Sequence, residues 1–167
     1  VDYFLYYIYD KHGVKASSKK LKKAIRVVPL LEGKMEHEEL VKTLATIGKI
    51  FGYPVSTRPA VNDLRPSHMQ LKIKVKELDL AWKTGTFSWI PIEVQVHGSV
   101  ESLLTSFDFV QQWSDRMIVV VTQDKDKEII DEFARNKPGF PHHKLVYLYP
   151  SEVEQATKNI SKLLDLK

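Results

Sequence analysis

The sequence contains no cysteine, which excludes a disulfide framework and a thiolate metal site and fits an intracellular, cytoplasmic setting. No apolar run approaches the roughly 18 residues of a spanning helix, and no signal-peptide pattern opens the chain, so no membrane partner is expected. A phosphate-cradling glycine loop and a nucleophilic serine elbow are both missing. His142 and His143 lack the spaced partners of a zinc site and read as loop residues. Together these absences remove the disulfide-scaffold, membrane, P-loop and serine-hydrolase readings.

What remains is a chain of 167 residues, 43% hydrophobic and 28% charged. That is enough for one domain of ordinary size with its own core. It opens on Val1 rather than Met, as expected of a piece of something longer. A formal charge of +4 and a pI near 9.1 tilt it mildly towards an anionic partner. Lysines gather at Lys15, Lys19, Lys20, Lys22 and Lys23, and again at Lys72, Lys74 and Lys76. Such runs serve either as solvated faces or as phosphate contacts.

Residues 1–10 are apolar and aromatic nearly all round, and a helix capped by Ser17 or Ser18 is expected to run through Arg26. This front part reads as packing onto the core, as the tail of an upstream helical domain, or as a basic two-helix extension. Leu40, Val41, Leu44, Ile47 and Phe51 recur at helical spacing, and Gly52 supplies a stop. Tyr53–Thr57 is a candidate first strand, and residues 58–70 read as a loop. Leu71, Ile73 and Val75 alternate with Lys72, Lys74 and Lys76, which predicts a half-buried strand continuing towards Asp79. Thr84-Gly85-Thr86 is a turn that would pair the Asp79 run with the run Ile90–Val96 as a hairpin. A helix capped by Ser99, the fully apolar strand Met117–Thr122, a helix over 125–135 and a strand over 145–149 follow. Ser151 and Glu154 are expected to form the capping box of a last helix. From Met35 the predicted order is helix, three meandering strands, helix, strand, helix, strand, helix. An α/β domain with a mixed sheet flanked by helices is the natural result.

The most informative stretch lies between Glu77 and Ser106. Asp79 falls on one strand of the predicted hairpin and Glu93 on the other, while Gln95 and His97 share a face with Glu93 because strand side chains alternate. Two carboxylates side by side repel unless a hard cation lies between them, so Asp79 and Glu93 form a candidate Mg²⁺ site, with Mn²⁺ as its substitute. A metal there could activate a water for attack on a phosphodiester, with Gln95 beside that water. The plainer reading is an incidental pair of acids on neighbouring strands. His97 is a candidate phosphate contact or a structural residue closing its strand. Trp82, Trp89 and Trp113 read first as core and second as base-stacking platforms.

Asp79, the strand Ile92-Glu93-Val94-Gln95, Gly98-Ser99 and the leucine-rich helix after them resemble the PD-(D/E)XK, or restriction-endonuclease-like, nuclease superfamily. The segment Glu36-His37-Glu38-Glu39-Leu40 resembles the first helix of members carrying an acid there. The resemblance spans roughly residues 35–153 and implies an αβββαβ core. It also implies a metal-dependent endonuclease acting on DNA, with residues 1–34 as a helical basic extension and 35–167 as the nuclease domain. It places Glu39, or in competition Glu36, as a helix acid beside catalytic Asp79, Glu93 and Gln95, with the metal on Asp79 and Glu93. Lys19, Lys20, Lys22, Lys23, Lys72, Lys74 and His97 are the candidate nucleic-acid contacts, and a homodimer is a candidate assembly. The sequence departs from the family at Gln95, where a lysine is usual. An amide orients water but adds no charge, so Lys83 or one of Lys72, Lys74 and Lys76 becomes a candidate source of it. The rival expectation is a module of the same fold that binds nucleic acid or a protein without cutting.

Overall fold

A computed structural model of the protein describes residues 36–74, 76–95 and 99–165, the side chains of Leu163 and Leu164 excepted. The expected extension over 1–34, with Lys19, Lys20, Lys22 and Lys23, lies outside the described residues, as does His97. The chain divides into two compact units, one of Val1–Val55 with Pro150–Lys167 and one of Ser56–Tyr149. No helix among the described residues is long and apolar enough to cross a membrane.

Among the described residues of the first unit, two helices pack together, α1 (His37–Ile50) and, late in the chain, Pro150–Asp165. Leu40, Leu44 and Ile47 recur at helical spacing and are buried, which gives α1 its inward stripe. Its start is tied by the Glu39 carboxylate, which accepts from the Glu36 N–H at 3.1 Å. Its end is set by Gly52, whose φ of +82° is the left-handed conformation that glycine adopts without a Cβ penalty. Pro150 occupies the first position of the late helix, where a missing N–H costs nothing. Ser151 therefore lies inside the first turn rather than at the N-cap position expected for it. Glu154 pairs with Lys158 at 3.2 Å. Val153, Ala156 and Ile160 face inward as expected.

A five-stranded mixed sheet begins at the junction of the units and runs through the second. Its strands, in spatial and chain order, are β1 (Val55–Thr57), β2 (Leu80–Gly85), β3 (Ser88–Gln95), β4 (Met117–Val121) and β5 (Leu145–Leu148). β2 and β3 form the antiparallel hairpin, and β3–β4 and β4–β5 are parallel. The parallel steps need crossovers, supplied by helices Val100–Val110 and Asp124–Asn136. With the single turn α2 (Val61–Leu64), these are α3 and α4, and the late helix is α5. Ser99 caps α3 as predicted, its Oγ accepting from the Ser102 N–H at 3.3 Å. Leu103, Leu104, Phe107 and Val110 of α3 and Ile130 of α4 pack over Ala81, Val119 and Val121 of the sheet. β4 is buried along its whole length, the signature of its uninterrupted apolar run.

The strand expected over Leu71–Lys76 is absent among the described residues of that stretch. Asn62, in the segment read as loop, grips Leu71 by both backbone groups. Its Oδ1 accepts from the Leu71 N–H at 2.8 Å and its Nδ2 donates to the Leu71 carbonyl at 3.1 Å. These bonds occupy both backbone groups of Leu71, the first position of the expected strand. Ile73 is left 64% exposed. Further on, 58–61 and 76–79 run antiparallel. The Val61 N–H donates to the Lys76 carbonyl and the Leu78 N–H to the Pro59 carbonyl.

Candidate functional site

The hairpin register places the two acids. Leu80 faces Ile92 and Ala81 faces Pro91, so the next step outward sets Asp79, the residue just before β2, opposite Glu93. A slip of one residue would move Glu93 to the other face of the sheet. The turn guards against that slip. A Cβ on Gly85 would stand 2.5 Å from Ser88 Oγ, and Thr84 Oγ1, 3.0 Å from Ser88 Oγ, donates to Asp115 Oδ2 at 2.8 Å.

Asp79 is held from both sides. Its carbonyl accepts from the Arg58 N–H at 3.1 Å, and its Oδ2 accepts from the Val94 N–H at 2.8 Å. Arg58 adopts a φ of +50°, a left-handed conformation uncommon for a side chain of this size, at the turn that delivers this bond. Asp79 is thus held by main-chain groups of two neighbouring segments.

Glu93 is partly buried and hydrogen-bonded to the Asp79 carboxyl. Burial first, and then the Asp79 charge and hydrogen bond, push the Glu93 carboxyl up from 4.5 to about 9, against a smaller opposing pull from Lys76. Near neutral pH Glu93 therefore keeps a proton and donates it to Asp79. Gln95, two residues on, shares this face and is partly buried. Glu93 and Gln95 stand in register with Val119 and Val121, so the polar pair lies on the face that α3 covers, at the carboxyl end of β3.

Lys76 completes the cluster. Its charge reaches Glu93, and its Nζ donates to Ser102 Oγ in the first turn of α3 at 3.1 Å. The other candidate cations are placed differently. Lys83 lies over the Trp89 ring at 5.5 Å from the centroid, and Lys72 and Lys74, exposed like Lys76, are not among the charges acting on Glu93. Trp82 is fully buried in the core, and the Arg65 guanidinium lies 4.8 Å over Trp113. Neither indole is offered to a base.

The structure thus brings together Asp79, Glu93 and Gln95 from the sequence-predicted set. Glu39 belongs to the first unit, where its carboxylate has a helix-start role; Glu36 is exposed at the same helix start. Lys76 could not be told from Lys72 and Lys74 in the sequence, because the alternating pattern made all three outward strand lysines. Asn62 carried no signal beyond its place in a polar loop.

A divalent cation suits these donors. Among the described residues no group of three or more His, Cys, Asp and Glu side chains clusters as a metal cage. Mg²⁺, however, is commonly held by one or two carboxylates, with water and phosphate oxygens completing its shell. A carboxyl pair that must share a proton is a pair whose repulsion a cation would relieve. Asp79 and Glu93 would hold the ion, with the Gln95 side-chain oxygen a further hard donor.

No protein-family model, curated protein or solved structure matches the chain.

Proposed function

We propose that the chain is a metal-dependent endonuclease domain of the restriction-endonuclease-like class, hydrolysing DNA phosphodiester bonds. The observation that carries this reading is the Asp79–Glu93 carboxyl pair, set across a hairpin of fixed register with Gln95 on the same face. A bound divalent cation supplies Lewis-acid polarisation of a phosphoryl oxygen and a water of lowered pKa. Asp79 gives the site a carboxylate held by the Val94 amide, on a backbone held by the Arg58 amide, which is the preorganisation such chemistry needs. Glu93 releases its proton as the ion is taken up. Gln95 orients the attacking water through its amide. Lys76 places a positive charge near the carboxylates, the role for which the sequence offered no lysine beside Glu93.

The test is cleavage of plasmid DNA with Mg²⁺ or Mn²⁺ by the wild type, Asp79→Ala and Glu93→Ala. Cleavage by the wild type and its loss in both variants is expected. Undiminished cleavage in the two variants would remove the pair from the mechanism. Binding of DNA without cleavage under either metal would favour the non-cutting module, a reading motivated by the neutral Gln95. In that case Gln95→Lys should leave binding undisturbed.

A further inference from the structure

A groove of about 380 Å³ runs between Ile73, Lys74 and Lys76 on one side and the length of α3 from Ser99 to Phe109 on the other. It is lined by Lys74 and Lys76 on one side, Ser99 and Ser102 on the other, and the apolar side chains of Ile73 and Phe109. Its volume lies at the small end of ligand clefts, about 300–1,000 Å³, which suits one nucleotide unit rather than a longer segment. Resting on the nuclease reading above, we infer that this groove holds one nucleotide of the substrate strand, its phosphate on Lys74, Lys76 and Ser102 and its sugar and base edge on Ile73 and Phe109.

Three observations support this occupant. Lys76 is already tied to Ser102 Oγ at 3.1 Å, so its ammonium is positioned before any ligand arrives. Ser102 accepts that bond with a lone pair and keeps its hydroxyl hydrogen to donate to an anionic oxygen. Ile73 is 64% exposed on a segment outside the sheet, which leaves a large apolar side chain beside two cations. That combination fits a phosphate with a planar apolar group attached better than it fits an inorganic ion. Glu101 also lines the groove and leaves it with a net positive charge against the two lysines. Thr105, a further lining residue, already donates its hydroxyl to the Glu101 carbonyl at 2.8 Å and is not assigned to the phosphate.

The experiment measures binding of a fluorescein-labelled DNA duplex by anisotropy over a salt series without divalent cation, alongside cleavage of the same duplex with Mg²⁺. Lys74→Gln and Lys76→Gln should each reduce the slope of log K against log salt, and the two together by about 0.9, the value for one lost phosphate contact on duplex DNA. Lys125→Gln, an exposed lysine of α4, should leave the slope unchanged. Ile73→Ser should weaken binding on the order of fivefold with the slope intact, because an apolar contact releases no counterion. Wild-type slopes in both lysine variants, or no binding by the wild type at any salt, would overturn the inference. Cleavage with unchanged slopes would leave the nuclease reading standing and remove the groove. Reduced slopes without cleavage by the wild type would keep the groove and remove the nuclease.

Discussion

The proton on Glu93 should make the native protein less stable as pH rises through neutrality. The unfolded chain releases this proton near 4.5, whereas the folded protein retains it to about 9. Between those values the native state binds more protons than the unfolded state, so each pH unit lowers unfolding free energy by up to about 1.4 kcal/mol. From the unfolded value to pH 7 this one group withdraws at most about 3 kcal/mol. Glu93→Gln preserves the shape and a donor towards Asp79 while abolishing the titration. The variant should therefore match the wild type in acid and exceed it by up to about 3 kcal/mol at pH 7. Urea unfolding of both proteins from about pH 5 to pH 8 reads this directly, as a difference that widens with pH. A difference independent of pH would refute the reasoning, since it would mean that Glu93 ionises alike in both states. The same proton appears in metal binding. Mg²⁺ entering the pair must displace it, so calorimetric titrations in two buffers of different ionisation enthalpy should report about one proton released per ion at pH 7. Release should vanish well above the raised value and in Glu93→Gln, and metal affinity should climb as pH rises towards it.

Two further outcomes follow from the supports of the site. Asn62→Ala removes both bonds to Leu71; a loss of about 1–3 kcal/mol and faster hydrogen exchange at the Leu71 amide are expected, and unchanged exchange there would remove Asn62 as the clamp. Phe107, on the inward face of α3, is fully buried, so Phe107→Ala should cost about 3–5 kcal/mol in urea unfolding; a loss below about 1 kcal/mol would show that α3 does not pack there as described.

The elements legible in the sequence were those whose burial is written in one local period. Leu40, Leu44 and Ile47 specify α1 by helical recurrence, the unbroken run from Met117 specifies β4, and Ser99 marks the start of α3. Alternation around Glu93 and a turn at Gly85 were enough to predict that Asp79 and Glu93 would meet across a hairpin, because strand parity and a short connection leave few registers. Alternation misled at Leu71–Lys76, where the pattern was right for a strand but Asn62, nine positions before Leu71, holds both backbone groups of the first residue. A capping signature misled at Ser151, because Pro150 was free to open the helix one residue earlier.

The sequence by itself determined the class of architecture and the residue types at its centre, since period, parity and caps act between near neighbours. Only the tertiary structure decided that Glu93 carries a proton, that Lys76 rather than Lys72, Lys74 or Lys83 stands by the acids, and that a groove opens beside them. Burial, charge coupling and cavities depend on which distant segments come to share a space, and no local pattern of residues encodes that.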